Sequence, residues 1–537
     1  MNLSSKAATD SRRSAVVALA CAGVFVAYLP VTTVAVSLPV IQRALNASTA
    51  QLSWVQDAFV LPVAALILTA GVFGVVHGAK KVYQAGLALC AVGAAVSLTA
   101  QSIEMLWAGQ ALSGVGAAAL LPVTLALISR AAPDPRERGK YIGLWTTCMM
   151  AAMVVGPLLA GALVEHTSWR WIFLLPVPVS LVTMAVAWRS LPEFRGFGGR
   201  RLDWPGQITA AVAITALVYG VIEGGADSFA APGTVIALVV AVVSGALFVV
   251  VERRSEEPML DLSLFRNSTF AASTLVAMVS FLGLIGFFFV LSLYLGMVQQ
   301  LDTWQAGVRL VLVNVVSMIM GVVMGPLMRR WSPRVLITAG MLISAAALLS
   351  LTTLGVSTSF MSLAWRLALL GLGLGLAFPC ITSAAVSAVP GPQAGMAAAG
   401  NNAFRQVGGS LGPAVLGTLL AMKAVDTLPG HLADAGVSGG VARSVTEAVE
   451  ANGLGAAAGM DLGADAGRAL GAVSEAFLDG LHLCLTVSAA LLVLAALASA
   501  VLLRRRPDRS VTVTGSAAPP QEAVPATDGA GSASEGH

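Results

Sequence analysis

Ionisable side chains are scarce in the apolar stretches of this 537-residue chain, and those that occur there are where chemistry could happen. Asp57, in Trp54-Val-Gln-Asp57, stands one turn inside an apolar block, about 5 Å along a helix axis at 1.5 Å per residue. A charged group at the centre of a bilayer costs about 2.5–3.5 kcal/mol on insertion scales, so an ionisable residue in such a block is a functional candidate. Asp57 could carry a proton or hold a cation; this close to the end of its block, it could also be hydrated or cap the helix. Arg405 lies deeper, ~15 Å into a later block and too far in to snorkel. It should face the interior, either paired or lining a cavity, or be locked onto backbone carbonyls, with Asn401 and Asn402 one turn before it. Asp479 and His482 are three residues apart on one helix face. They could pass a proton at an outer gate, since histidine titrates near neutral pH, or simply form a solvated helix end. Arg309 and Arg366 open two further blocks, as interfacial anchors or attractors of an anion.

The elements that must position these groups follow from composition. Hydrophobic residues make up 57% of the chain and charged residues 11%, with a mean hydropathy of +0.83. A soluble domain carries roughly 25% charged residues, so this chain cannot clothe a water-facing surface. Its apolar blocks are about 20 residues long, enough to cross a hydrocarbon core of about 30 Å as helix. In lipid, every backbone N–H and C=O must be bonded within its own segment, which makes each block helical. Polar punctuation divides the chain into fourteen spans, near 14–39, 53–75, 82–101, 104–129, 141–164, 170–190, 205–224, 232–251, 269–297, 304–328, 334–355, 360–389, 395–421 and 479–503.

Other classes lack their signatures. The cysteines (Cys21, Cys90, Cys148, Cys380, Cys484) all fall inside the blocks, with the spacing of neither a disulfide framework nor a zinc site. No P-loop string and no metal-spaced His/Cys cluster is present, so no enzyme, cofactor or metal is indicated. The net charge of +4 forms no patch for nucleic acid.

An even number of spans puts both termini on one side. With that side taken as the cytoplasm, 23 of the 31 Lys and Arg residues fall in cytoplasmic segments, 5 in external segments and 3 within spans. That is the positive-inside bias of a multi-pass plasma-membrane protein. Lys6, Arg12 and Arg13 look like the start of a signal peptide, but the first block runs to Pro39 with no clear cleavage site and is expected to remain as a span.

The chain repeats itself. Gly114-Val-Gly116, Pro122 and Pro133 recur 257 residues on as Gly371-Leu-Gly373, Pro379 and Pro390. Gly156-Pro157-Leu-Leu-Ala-Gly161 recurs 256 residues on as Gly412-Pro413-Ala-Val-Leu-Gly417, and Gly71, Gly78 and Lys80 recur 254 on as Gly325, Ser332 and Arg334. Spans 1–6 therefore match spans 9–14 and leave spans 7 and 8 as an inserted pair. Two parallel six-helix halves imply a binding site at midplane between them and alternating access by rocking. The expected organisation is a cytoplasmic segment at 1–13, a half at 14–190, a linker with the inserted spans at 191–268, a second half at 269–503 and a disordered tail at 504–537. The second half includes an external loop at 422–478, in which 441–454 and 467–478 have the composition of short amphipathic helices. The repeated Gly156, Pro157, Gly161 and Gly412, Pro413, Gly417 are hinge candidates, because glycine admits close backbones and proline bends a helix; tight packing alone is the alternative.

Together with Ser168-Trp-Arg-Trp-Ile-Phe173, Asp203-Trp-Pro-Gly206, Leu217-Val-Tyr-Gly-Val-Ile-Glu-Gly224, Pro258-Met-Leu-Asp-Leu-Ser-Leu-Phe265 and Arg405-Gln-Val-Gly-Gly409, these strings resemble the fourteen-span drug:proton antiporters of the major facilitator superfamily, the EmrB/QacA type, over roughly residues 14–503. The resemblance implies an all-α membrane fold of two six-helix halves plus two inserted helices, a small-molecule substrate, a monomer, and a proton gradient as energy source. Asp57 matches an acid found in QacA-like relatives. Departures are as telling: Pro30 and Ala35 stand where the family's first span has an acid and an amide, Val75 where the second loop has an acid, and Gln110 where the fourth span has an arginine.

Cavity candidates are Gln110, Asn401, Asn402, Thr32, Thr33 and Tyr294, beside Met and aromatic side chains such as Met153, Met278, Phe281, Phe287 and Phe288, which suit loose binding of varied apolar ligands. The expected function is secondary export of amphipathic organic molecules by proton antiport, with Asp57, Arg405, Asp479 and His482 as coupling or gating candidates. The lost charges keep open a uniporter or symporter of a neutral or anionic solute, or a non-transporting sensor.

Overall fold

The computed structural model describes residues 3–131, 135–191, 203–226, 228–389 and 394–503. Pro133, Pro390 and the tail 504–537 lie outside the described residues. The chain forms α1 (Leu3–Leu45), α2 (Thr49–Val76), α3 (Ala79–Leu98), α4 (Ile103–Ala131), α5 (Pro135–His166), α6 (Pro176–Ser190), α7 (Trp204–Ala226), α8 (Pro232–Arg254), α9 (Ser268–Leu293), α10 (Thr303–Arg330), α11 (Pro333–Leu351), α12 (Phe360–Ser387), α13 (Ala394–Asp434), α14 (Gly439–Asn452) and α15 (Ala466–Leu502). All but α14 belong to a segment long and apolar enough to span a membrane, α6 together with the 3-10 turn Trp169–Phe173 before it, giving fourteen candidate spans. Side-chain caps start several of them. Ser48 and Gln51 form a reciprocal capping box on α2, and Asp302, Ser332 and Ser359 each accept a first-turn N–H of α10, α11 and α12.

The duplication holds in three dimensions. Gly116 of α4 packs on Gly86 of α3, and Gly373 of α12 packs on Gly340 of α11; an added Cβ on Gly116 or Gly373 would stand 2.6 Å from the opposing carbonyl oxygen. Gly114 abuts the Phe59 carbonyl of α2 as Gly371 abuts the Val313 carbonyl of α10. Gly156 brings α5 onto α1, and Gly412 brings α13 onto α9. Small residues at these crossings let backbones approach where no hydrophobic force separates helix from lipid.

The inserted pair behaves differently. Helix α7 packs on both α2 and α13, one from each half. Its partner α8 leaves Ile236, Val239, Val242 and Val243 exposed, the apolar surface of a lipid-facing helix.

The bundle has two distinct ends. At the terminal face α1 begins and α15 ends. At the opposite, extension face, the described structure reshapes the expected 422–478 loop: α13 runs unbroken to Asp434, α15 starts at Ala466, and α14 lies between them. The segment 467–478 is thus the first three turns of the last span rather than a separate helix, because its apolar face stays buried at Ala469, Ala472, Ala476 and Phe477.

Candidate functional site

The two halves meet along two seams, α2 with α13 and α5 with α10, and where α1 touches α9. Near the extension face, the Ser292 hydroxyl of α9 donates to the Ala35 carbonyl of α1 at 2.6 Å, and Pro39 fills the space at Gly296. Along α5–α10, Gly307 lies against the Pro157 carbonyl and Gly161 against Trp304. Lower down, Asn314 Nδ2 donates to the Met153 carbonyl at 3.1 Å. Along α2–α13, Ser53 Oγ packs on Gly417 and Val60 on Gly409. All these approaches lie between the extension face and mid-bundle, so the structure is sealed on that side.

Arg405 sits at the bottom of the seal. Its Nη2 donates to Tyr28 Oη of α1 at 3.0 Å and to Asn402 Oδ1, and the guanidinium lies 4.7 Å from the Phe281 ring centre. Arg405 therefore ties the halves together through a phenol, with an aromatic face beneath it. It faces the interior of the bundle and bonds side chains rather than backbone carbonyls. Below Tyr28, α1 shows Ala18, Ala22 and Phe25 to solvent along one face, and α9 shows Ala271, Leu275 and Met278. These strips lie on the two helices that meet between the halves, and we read the space between them as a largely apolar vestibule on the terminal side of Tyr28, Arg405 and Phe281.

Asp57 is fully buried, and neither carboxylate oxygen has a hydrogen-bond partner among the described residues. It lies four residues from Ser53 and three from Val60, on the α2 face that meets α13. It does not cap its helix, because Ser48 and Gln51 do, and it is not hydrated at the surface. Neighbouring Gln56 is also buried with its amide unpaired.

Other sequence candidates are placed in helix packing. Thr32 and Thr33 are buried against Gly156, with Thr33 Oγ1 donating to the Leu29 carbonyl at 2.6 Å. Gln110 turns from the space between the halves toward α3, donating to Ser97 Oγ at 3.1 Å. Asn401 is buried beside Ser273 of α9, leaving Asn402 as the asparagine that meets Arg405. Tyr294 is buried in a π-helical turn that follows α9. It donates to the Gly355 carbonyl at 2.8 Å and accepts from Gln299, which in turn accepts from Arg309. It secures the extension face of the second half, as does Arg366, which donates to Thr353 Oγ1 at 2.9 Å.

Asp479 and His482 are not brought together. Asp479 pairs with His431 of α13 at 2.8 Å, while His482 meets the Leu354 carbonyl at 2.9 Å. Residues three apart diverge by about 60° around a helix, enough to reach different neighbours. His431 was not singled out from the sequence; nor were Tyr28 and Asn314, whose partners lie 377 and 161 residues away.

The sequence model described as Major Facilitator Superfamily matches residues 20–413, most of the chain. The chain belongs to the major facilitator superfamily. It is similar to the multidrug resistance protein Stp of Mycobacterium tuberculosis, at 33% identity over 76% of either chain. It is also similar to the tetracenomycin C resistance and export protein of Streptomyces glaucescens, at 30% identity over 90% of this chain and 91% of that one. Among solved structures, a bacterial homologue of the human lysosomal transporter Spinster shares the fold, with a TM-score of 0.62 at 16% identity, covering 92% of this chain and 98% of that one. The fourteen spans and the drug-resistance relatives fit the drug:proton antiporter branch of this superfamily. The protein is a multi-pass membrane transporter and not an enzyme.

Proposed function

We propose that the protein exports amphipathic organic molecules, antibiotics or metabolites among them, across a bacterial plasma membrane by proton antiport. The relatives are named for multidrug resistance and antibiotic export, and the apolar vestibule offers a binding space of matching chemistry. The positive-inside bias assigns the terminal face to the cytoplasm; the structure is then open inward and sealed outward, the state that loads a substrate for export.

Asp57 is the observation that carries the coupling. Closing the α2–α13 seam buries its carboxyl without a partner, which costs several kcal/mol for an anion and far less for the neutral acid. Protonation from the outside would permit the seam to close; release of that proton to the cytoplasm as substrate loads would leave a buried anion that favours reopening outward, so that a proton enters as substrate leaves. The energy source is then the proton gradient, with no cofactor. The test is efflux from proteoliposomes with and without an imposed pH gradient, using a panel of amphipathic antibiotics. Gradient-driven movement of at least one compound, lost in Asp57→Asn, is expected; movement that ignores the gradient would sink the coupling.

A second reading rests on Arg405, whose charge has no carboxylate partner among the described residues: uniport or symport of an anionic solute. Transport rates that rise with substrate negative charge and ignore pH would favour it.

A further inference from the structure

At the extension face, away from the vestibule, α2, α4 and α7 enclose a groove of about 730 Å³ lined by Trp54, Trp107, Tyr219, Glu223, Gln51 and Asn46. Trp54 is the central wall, its ring centre 6.5 Å from that of Trp107 and 6.1 Å from that of Tyr219, inclined at 53° and 49°. The Trp107 indole N–H donates to the Gln51 carbonyl at 3.3 Å, which fixes that ring. Glu223 lies one turn beyond Tyr219 on α7 and has no cationic partner among the described residues. Trp and Tyr gather at membrane interfaces in general. What an interfacial belt does not require is three rings around one hollow with an unneutralised carboxylate at its edge. Ring faces carry negative potential and attract cations with weakly hydrated, alkylated surfaces, and a carboxylate supplies the counter-charge.

We infer that this groove is a binding site for an alkylated ammonium group, separate from the vestibule and built in part by the inserted helix α7. Trp54 and Tyr219 offer ring faces to the methyl or methylene shell, and Glu223 offers the counter-charge. Two sources share that chemistry, a soluble quaternary ammonium compound and the choline headgroup of a lipid. The inference does not depend on transport, because binding to the resting protein is what it asserts.

The experiment is calorimetric titration of the full chain with benzyltrimethylammonium in nanodiscs of phosphatidylglycerol, with no gradient present. Saturable binding is expected, weakened at least tenfold by Glu223→Gln and by Tyr219→Ala. Tyr219→Phe, which keeps the ring face, should bind as the native protein does. Neopentylbenzene, the uncharged carbon isostere, should show no saturable heat. Repeating the titration in phosphatidylcholine nanodiscs separates the sources. Competition identifies a lipid headgroup as the occupant, and its absence a soluble cation; either supports the site. No saturable binding in phosphatidylglycerol, equal binding of the neutral isostere, or an affinity unchanged in both Glu223→Gln and Tyr219→Ala would overturn it. Tyr219 is 41% exposed, and the Tyr219→Phe and Glu223→Gln replacements are nearly isosteric, so loss of fold does not cloud the outcome.

Discussion

Helix α5 meets α10 through glycines, a proline and a satisfied asparagine, whereas α2 meets α13 through a serine, a valine and a buried carboxyl group, although the duplication makes the two seams equivalent. The equivalence is close in register. Shifting α2 by 254 residues carries Ser53 onto Gly307 and Val60 onto Asn314, and shifting α13 back by 256 carries Gly417 onto Gly161 and Gly409 onto Met153. The contacting pair Ser53–Gly417 thus corresponds to Gly307–Gly161, and Val60–Gly409 to the hydrogen-bonded pair Asn314–Met153. The same operation carries Asp57 onto Val311 and Arg405 onto Met149. Each charge stands in one half only. The seams also differ in cover, since α7 backs α2–α13, with Thr418 Oγ1 donating to its Val221 carbonyl at 3.0 Å and Leu61 and Ala414 packed on its Val218 and Ile222. One seam closes by shape. In the other, under the proposed mechanism, closure also depends on a proton.

The largest effect should come from removing that difference. Asp57→Asn is expected to abolish gradient-driven efflux, at least about a hundredfold, roughly 2.7 kcal/mol at 1.36 kcal/mol per decade, while expression and fold persist; proteoliposome flux checks it. Gradient-driven flux surviving in that variant would break the contrast between the seams.

Next is the seam that closes by shape. Gly307→Val places a Cβ against the Pro157 carbonyl, with 2.6 Å available, and overpacking of this kind costs about 1–3 kcal/mol. Spin-label distances across α5–α10 on the extension side should lengthen, with transport lost. Unchanged distances would show that this seam does not hold the sealed state.

Tyr28→Phe removes the hydroxyl that accepts from Arg405 across the halves. Hydrogen bonds to charged groups are worth about 1.5–3 kcal/mol, so the sealed population should fall about tenfold or more, read by cysteine labelling from the extension face. A population equal to the native one would reduce Arg405 to a tether within its own half. The smallest effect is expected at Thr418→Val, which deletes the bond to α7 at constant shape. About 1 kcal/mol of stability should be lost, seen as a fall of a few degrees in the unfolding midpoint; transport should continue.

Much of the architecture was legible beforehand because lipid makes helical spans a local matter. Each block must be long, apolar and internally bonded, and the glycine strings that betray the duplication are the crossings of the folded halves. The site was legible only in part. Asp57 and Arg405 stood out because charge is costly in apolar surroundings. The strings around Thr32, Thr33 and Gln110 suggest cavity residues, yet the structure turns them into helix contacts. A polar residue on a span can serve a neighbour as readily as a cavity, and hydropathy does not distinguish these faces.

By itself the sequence determined the number of spans, the duplicated halves, the inserted pair and the distribution of positive charge, all properties of segments about twenty residues long or of their repetition. Only the tertiary structure decided that Asp57 is sealed without a partner among the described residues, that Arg405 reaches Tyr28 377 residues away, and that Asp479 pairs with His431 while His482 meets the Leu354 carbonyl. Those outcomes depend on which helix faces meet and at what register. Side-chain volume and close backbone approach fix that across the whole bundle, and no single segment records it.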